Sequence, residues 1–547
     1  MGWTRLACGL AVMAALVCPA LAASSPYQIR HLEWTAADER DYGEFIARLG
    51  ASGCRTVDSC LGGAANMFAA GDPPGAAFRS DCADLPYVLR FYFAWHRGLP
   101  FSYAARVEPR GPARDARYSP AGNAVVARRD VLSGADALSV WEDLRDAVSS
   151  ATYRIHPALE EPRESDFYSP ALTPRAIRPG TVIYDPNGHL AVVWKVERDG
   201  RLFYIDAHPD NSLTRGTYDQ RFVRAAPGMG AGFKNWRPLS LKGAVHRGGV
   251  WFGGRIVPAR NDAISDFSLS QYFGTGSNPQ TDSAWRDGDF VLNAKRLDYY
   301  DYVRARMAGG RLSFDPLREV SDMVASNCAD LSYRGDAVMA ALEAGLQNEQ
   351  EPARLPENIY GTEGDWEDYS TPSRDARLKT AFKELRDAGA RFLALYHARD
   401  PSLDYKGADL GSDMLAAYDR AAGACTVRYV NSEGRAVSFS YEEARLRLFR
   451  LSFDPYHCVE RRWGAQGAEL ASCRDGAVKQ AWYRAEQVLR NQIDRTYEAR
   501  MDWSLADLGS GDPRIGAPQP PDTDLRGLLL AEKEKPGALS DARFRRD

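Results

Sequence analysis

The sequence predicts an α+β fold: a helix packed on an antiparallel sheet, followed by a mainly helical C-terminal region. Three observations carry this. Leu85, Val88, Leu89, Tyr92 and Trp95 recur at three- and four-residue spacing after Ser80-Asp81-Cys82-Ala83-Asp84, and Gly98 and Pro100 end the pattern, so an amphipathic helix opens near Ser80. Strand patterns at 181–184, 190–196 and 202–206 follow one another across Asp185-Pro186-Asn187-Gly188 and Arg198-Asp199-Gly200, which have hairpin-turn chemistry. Beyond residue 316 the periodicity becomes helical. A helix followed by a meander is an α+β pattern.

Taken in order, residues 1–22 read as a signal peptide. Arg5 precedes an apolar run over 6–18 and Pro19-Ala20-Leu21-Ala22, which predicts cleavage after Ala22, a periplasmic or secreted protein, and no transmembrane segment in the mature chain. A first domain is expected over 23–258. It starts with a helix at 36–49 and a turn at Gly71-Asp72-Pro73-Pro74-Gly75. Residues 101–135 give a mixed signal, and a helix is expected at 137–149. The Pro- and Ser-rich stretch 162–179 leads into the meander, and a Gly-rich passage at 228–254 carries strand-like pieces around Val250 and Ile256. Residues 259–315 read as an irregular connecting region. A helical domain is expected over 316–507, with helices at 319–346, 374–396, 412–423, 441–451 and 478–500 and one hairpin at 426–440. The composition of 508–547, rich in Pro, Gly and charge, predicts a flexible tail.

Charge narrows the partners. The 547 residues hold 69 Lys+Arg against 73 Asp+Glu, a net charge of −4, which excludes a basic nucleic-acid footprint. Of nine cysteines, Cys8 and Cys18 lie in the signal segment, leaving an odd seven. Cys54 with Cys60, Cys458 with Cys473, and Cys328 with Cys425 make one pairing that leaves Cys82 free, although sequence alone leaves other pairings open.

Cys82 is the candidate nucleophile. A cysteine at a helix start sits near free backbone N–H groups and the positive end of the helix dipole, which favours thiolate. An acyl-transfer enzyme also needs an imidazole and a polar group to orient it. His189 opens the second strand, and pairing through the 198–200 turn returns Asp206 beside it, given a register offset or bulge. His208, Asp84 and Asp81 are candidate substrate contacts or alternative third residues. His457 adjoins Cys458 without a second ligand pair at metal-binding spacing, and phosphate-loop and dinucleotide motifs are missing, so neither metal nor organic cofactor is expected.

Ser80-Asp81-Cys82-Ala83-Asp84-Leu85, Arg178-Pro179-Gly180-Thr181-Val182-Ile183-Tyr184, Gly188-His189-Leu190-Ala191-Val192-Val193 and Tyr204-Ile205-Asp206-Ala207-His208 resemble the papain-like cell-wall cysteine peptidases of the NlpC type. The resemblance spans about residues 75–215. It implies a papain-like fold with Cys82 as nucleophile, His189 as base and Asp206 as orienting residue, acting on peptidoglycan peptides or envelope proteins. Ala83-Asp84 departs from the small Ser-Gly pair of that family, Pro86 falls early in the helix, and the Cys82-to-His189 segment is long. Gly98-Leu99-Pro100-Phe101 and the His189-to-Asp206 interval also resemble transglutaminase-like domains, which share the Cys-His-Asp logic but imply acyl transfer. A non-catalytic binding or scaffold module on the same fold is the third expectation.

Overall fold

The computed structural model describes residues 25–159, 164–275, 283–359, 364–369, 372–494, 496 and 499–534. The signal-like segment lies outside these residues. Mixed helices and antiparallel sheets make up the chain, and among the described residues no helix is long and apolar enough to cross a membrane.

Helix α1 (Ala36–Ala51) starts from a capping box in which Thr35 and Asp38 satisfy each other's backbone N–H groups. Helix α2 (Leu85–Arg97) starts later than its apolar pattern suggests. Residues 81–84 form a turn, Asp84 takes the cap position, and Pro86 occupies the first turn of the helix, where no intrahelical N–H donor is needed. Gly98, at φ +65°, ends it. The mixed-signal region forms an antiparallel pair, β1 (Phe101–Pro109) and β2 (Asn123–Val131), before α3 (Ala137–Ala147).

The central sheet comprises β3 (Phe167–Tyr168), β4 (Val182–Asp185), β5 (His189–Val196), β6 (Leu202–Ala207), β7 (Leu213–Thr217) and β8 (Gly232–Trp236). Its order is β3-β8-β4-β5-β6-β7, with each neighbouring pair antiparallel. Both faces are covered. Tyr184, Leu190, Val192 and Ile205 join the core of α1 and α2, whereas Ile183, Ala191, Val193 and Tyr204 join a second core. That second core is closed by α4 (Tyr299–Met307) through Tyr299, Tyr302, Val303 and Met307. Residues 259–315 therefore do more than connect: they supply the second cover of the sheet. The β5–β6 turn meets α4 so closely that a Cβ on Gly200 would stand 1.9 Å from the Arg304 carbonyl oxygen.

The helical half contains α5 (Pro316–Glu343), α6 (Pro372–His397), α7 (Leu410–Gly423), the hairpin of β9 (Thr426–Val430) and β10 (Ala436–Ser440), and α8 (Tyr441–Arg447). The segment expected as one helix over 478–500 is instead α9 (Ala477–Ala485) and α10 (Gln487–Asn491). Asn491 turns its side-chain amide to the Ala517 and Pro518 carbonyls at 3.1 and 3.3 Å, and the chain leaves the helix there. Nor is the segment after 507 a free tail as far as residue 534. Helix α11 (Leu525–Lys533) buries Leu525 and Leu529 against α6 and α7, where Gly389 leaves room for the Leu525 side chain. Residues 535–547 lie outside the described set.

Three disulfides are present: Cys54–Cys60, Cys328–Cys425 and Cys458–Cys473. Several ion pairs cross between the two halves. Arg201 meets Asp322 at 2.7 Å, Arg304 meets Glu319 at 2.7 Å, and Arg55 pairs with Asp336. A cavity of about 250 Å³ lies on this seam, lined by Tyr218, Arg221, Tyr300, Asn327, Glu384 and Phe392 among others.

Candidate active site

Cys82 is the free cysteine among the described residues and is half-buried. It sits in the turn before α2, where Asp81 Oδ1 accepts from the Ala83 and Asp84 N–H groups at 2.7 and 2.9 Å. The turn is anchored from outside as well, since Tyr153 Oη donates to the Ala83 carbonyl at 2.5 Å. Its thiol lies 3.7 Å from the Gly188 carbonyl, and the Leu190 N–H also faces the sulfur. The sulfur thus lies against the backbone that carries His189.

His189 and Asp206 meet as the strand order predicts. Strands β5 and β6 pair Val192 with Ile205 and Val193 with Tyr204, and a bulge between Val193 and Lys195 absorbs the odd residue in the connection. His189 is then in step with Ala191 and Val193, and Asp206 with Tyr204, on the α4 side of the sheet. Across the strands His189 Nε2 lies 2.7 Å from Asp206 Oδ2. The Thr214 hydroxyl donates to the other Asp206 oxygen. The imidazole faces Phe222 and His208, with ring centroids 6.1 Å away in both cases, and makes no hydrogen bond to the Cys82 thiol.

Arg377 of α6 reaches into the His189–Asp206 pair. Its Nη1 donates to His189 Nε2 and lies 3.4 Å from Asp206 Oδ2, while its Nη2 donates to the Tyr204 hydroxyl at 3.2 Å. One ring nitrogen cannot accept from Arg377 and also donate to Asp206. When Nε2 accepts, the ring proton resides on Nδ1, and no lone pair remains to take a proton from a thiol. Arg374, one turn earlier on α6, binds Asp210 at 3.1 Å and fixes the helix over this end of the sheet. No local sequence signal marks either arginine, because they lie more than 160 positions from their partners.

The electrostatics describe a neutral pair at rest. Burial pushes the Cys82 thiol far above its ordinary range, and the carboxylates of Asp81, Asp206 and Asp84 add to it against the Leu190 N–H. Burial and the Arg377 charge bring His189 down to about 3, against the pull of Asp206. For Asp206 burial acts upward, but the close approach of His189, together with His208 and Arg377, holds it well below the usual carboxylate range. The ion pair that activates a cysteine is therefore not formed in this arrangement.

The remaining candidates separate. His208 lies 3.9 Å from Asp206 Oδ2 and 3.2 Å from the Thr214 hydroxyl, and burial lowers it to about 4. It belongs to the Asp206 cluster. Asp84 is buried at the α2 cap without making a capping hydrogen bond, and burial together with Asp81 raises it to about 9. It is a neutral acid beside Cys82 and not the dipole-stabilised carboxylate that its position suggests. Asp81 spends one oxygen on the turn, and burial raises it as well. Comparison with protein-family models, with curated proteins and with solved structures gives no match.

Proposed function

We propose that this chain is an exported cysteine hydrolase on a papain-like fold, cleaving amide bonds in peptidoglycan peptides, and that its helical half holds it latent. The observation that carries the reading is the pairing of His189 with Asp206 at 2.7 Å beside a free thiol held at the Gly188 carbonyl, one residue from that histidine. Further support comes from the order of the elements, a helix preceded by cysteine and consecutive antiparallel strands bearing His and Asp. In the working state Cys82 thiolate attacks the carbonyl, and His189 protonates the departing amine and then activates water. Asp206 fixes the imidazole tautomer. That state requires Arg377 to leave Nε2 and the imidazole, which faces the α4 side with Phe222, to turn toward the face of the sheet on which Cys82 packs. The polar, cavity-bearing seam between the halves is suited to such a separation, because ionic interdomain contacts exchange for water at small cost.

A second reading is favoured by one observation, the missing hydrogen bond between thiol and imidazole: a catalytically silent envelope-binding module on the same scaffold. Incubation with purified peptidoglycan and mass spectrometry of the released peptides separates the two. The hydrolase releases peptides, faster as Arg377→Met than as the natural chain, and not at all as Arg377→Met/Cys82→Ala. No release from any form rejects the hydrolase in favour of the binding module.

A further inference from the structure

A second cluster of ionisable groups lies deep in the helical half, away from Cys82. Asp454 and His457 come from the loop after α8, Glu351 from the segment after α5, and Glu486 from the junction of α9 and α10. All are out of water: Asp454, His457 and Glu486 are 0% exposed, and the Glu351 side chain is 1% exposed. Ligand atoms of Glu351, Asp454 and His457 all lie within 4.8 Å of one another. His457 Nδ1 is 4.0 Å from both Asp454 Oδ2 and Glu486 Oε2, and its Nε2 is 3.7 Å from Glu351 Oε1.

Three carboxyls brought together in a dry interior repel one another unless something positive lies between them. The protein supplies little. Arg490 approaches Glu486 Oε2 at 3.5 Å, while Lys479 gives its ammonium to the Gln347 and Tyr456 carbonyls at 2.7 and 2.5 Å. Both Glu351 oxygens, Asp454 Oδ2 and Glu486 Oε1 are buried without a hydrogen-bond partner. Buried oxygens are almost always satisfied, and here Glu351 and Glu486 each come within hydrogen-bonding reach of Asp454, so the cluster calls for a proton or a cation between its carboxyls. The histidine is held in the way metal ligands are: Nε2 sits 3.0 Å from the Lys479 carbonyl and donates to it, which leaves Nδ1 as an acceptor, taken by the Ser452 hydroxyl with the Asp454 and Glu486 oxygens 4.0 Å away. The Ser452 hydroxyl, 2.7 Å from Nδ1, accepts from the Asp454 N–H and is the group that a cation would turn aside.

We propose that Glu351, Asp454, His457 and Glu486 form a buried structural site for a divalent cation of the Mn²⁺, Fe²⁺ or Zn²⁺ class. Three carboxylates and one imidazole match that class better than Ca²⁺ or Mg²⁺, which take oxygen almost alone. Ligands bonded at about 2.1 Å stand roughly 3 to 4.2 Å apart across an ion, and the 4.0 Å from His457 Nδ1 to Asp454 Oδ2 and to Glu486 Oε2 already falls in that range. Bound there, the ion ties the 349–355 segment, the 452–458 loop and the α9–α10 junction into one unit next to the Cys458–Cys473 disulfide. His457 shows no metal spacing in sequence because Glu351 lies more than a hundred residues before it.

The test is metal analysis of the full-length protein, followed by chelation and titration with MnCl₂, ZnCl₂ or CaCl₂ while Tm is recorded. The expected result is close to one equivalent of transition metal per chain, and a Tm rise of about 5 °C or more with Mn²⁺ or Zn²⁺ at saturation that Ca²⁺ does not reproduce. Glu486→Gln abolishes this response, because it takes one ligand carboxylate away, and does not lower the Tm of the stripped protein, where burial favours the neutral side chain. Should that variant fail to fold, CoCl₂ added to the stripped natural chain gives visible absorption characteristic of mixed nitrogen and oxygen ligands. Less than about 0.1 equivalents of metal with no Tm or absorption response overturns the proposal in favour of carboxyls sharing protons. So does a response that Glu486→Gln retains in full.

Discussion

Arg377→Met tests the latch through His189. The guanidinium donates to His189 Nε2 and lies 3.4 Å from Asp206, so its charge acts directly on the imidazole. Two unit charges about 4 Å apart at an effective dielectric of about 20 interact by roughly 4 kcal/mol, equivalent to about three pH units. Burial is the larger reason that His189 lies near 3, and methionine keeps most of it, so only part of the shift is recovered. The expected titration midpoint in the variant is about 5, a rise of about two units. The assay is a proton–carbon NMR titration of the histidine Cε1 signals, with His189 assigned from a His189→Gln spectrum. A midpoint that stays near 3 would refute the role given to Arg377, because burial alone would then set the imidazole.

Asp84→Asn should stabilise the chain in a pH-dependent way. Asp84 is raised from 3.8 to about 9, so the folded state prefers the neutral acid and loses stability as pH rises between those values. Urea unfolding should show the variant about 2 to 3 kcal/mol more stable at pH 7 and nearly equal to the natural chain at pH 4. Replacing Cys328 and Cys425 by alanine opens a loop with a sequence separation of 97, and the chain-entropy relation puts the loss at about 4 to 5 kcal/mol. The same relation gives about 2 kcal/mol for Cys54–Cys60, with a separation of 6, so chemical denaturation should rank the two deletions in that order. Gly200→Ala forces a Cβ into the Arg304 carbonyl from a φ of +85° and should cost at least about 2 kcal/mol, with hydrogen exchange rising first across α4.

Much of the fold is written locally. Turn residues at 185–188 and 198–200 place β4, β5 and β6, and the count across the second turn already demands the bulge found at Trp194. The three disulfides follow the pairing that leaves Cys82 over. Elements stabilised from a distance are harder to read. Helix α4 has only nine residues, and its apolar stripe is interrupted by Asp301, Arg304 and Arg306, so its role as the second cover of the sheet emerges only against Ile183 and Val193. In α11 the buried Leu525 and Leu529 are spaced by one helical turn, but the Pro, Gly and charge around them dominate the composition. At the site, the His189–Asp206 pair is legible from strand order, whereas the acidic surroundings of Cys82 and the hold of Arg377 arise from tertiary packing. A helix N-terminus alone suggests thiolate; burial, with Asp81 and Asp206 nearby, reverses that.

On the proposed mechanism Cys82 works through His189 once Arg377 is withdrawn and the imidazole turns to the face of the sheet that carries the thiol. The alkylation rate of Cys82 by iodoacetamide, followed by peptide mass spectrometry from pH 4 to 10, tests it directly. In the natural chain, labelling should be slow below pH 9. In Arg377→Met it should rise at least about tenfold at pH 7 with an inflection near 5, and adding His189→Ala should remove both the gain and the inflection. Equal rates in all three chains, rising only with the high pKa of a buried thiol, would contradict it.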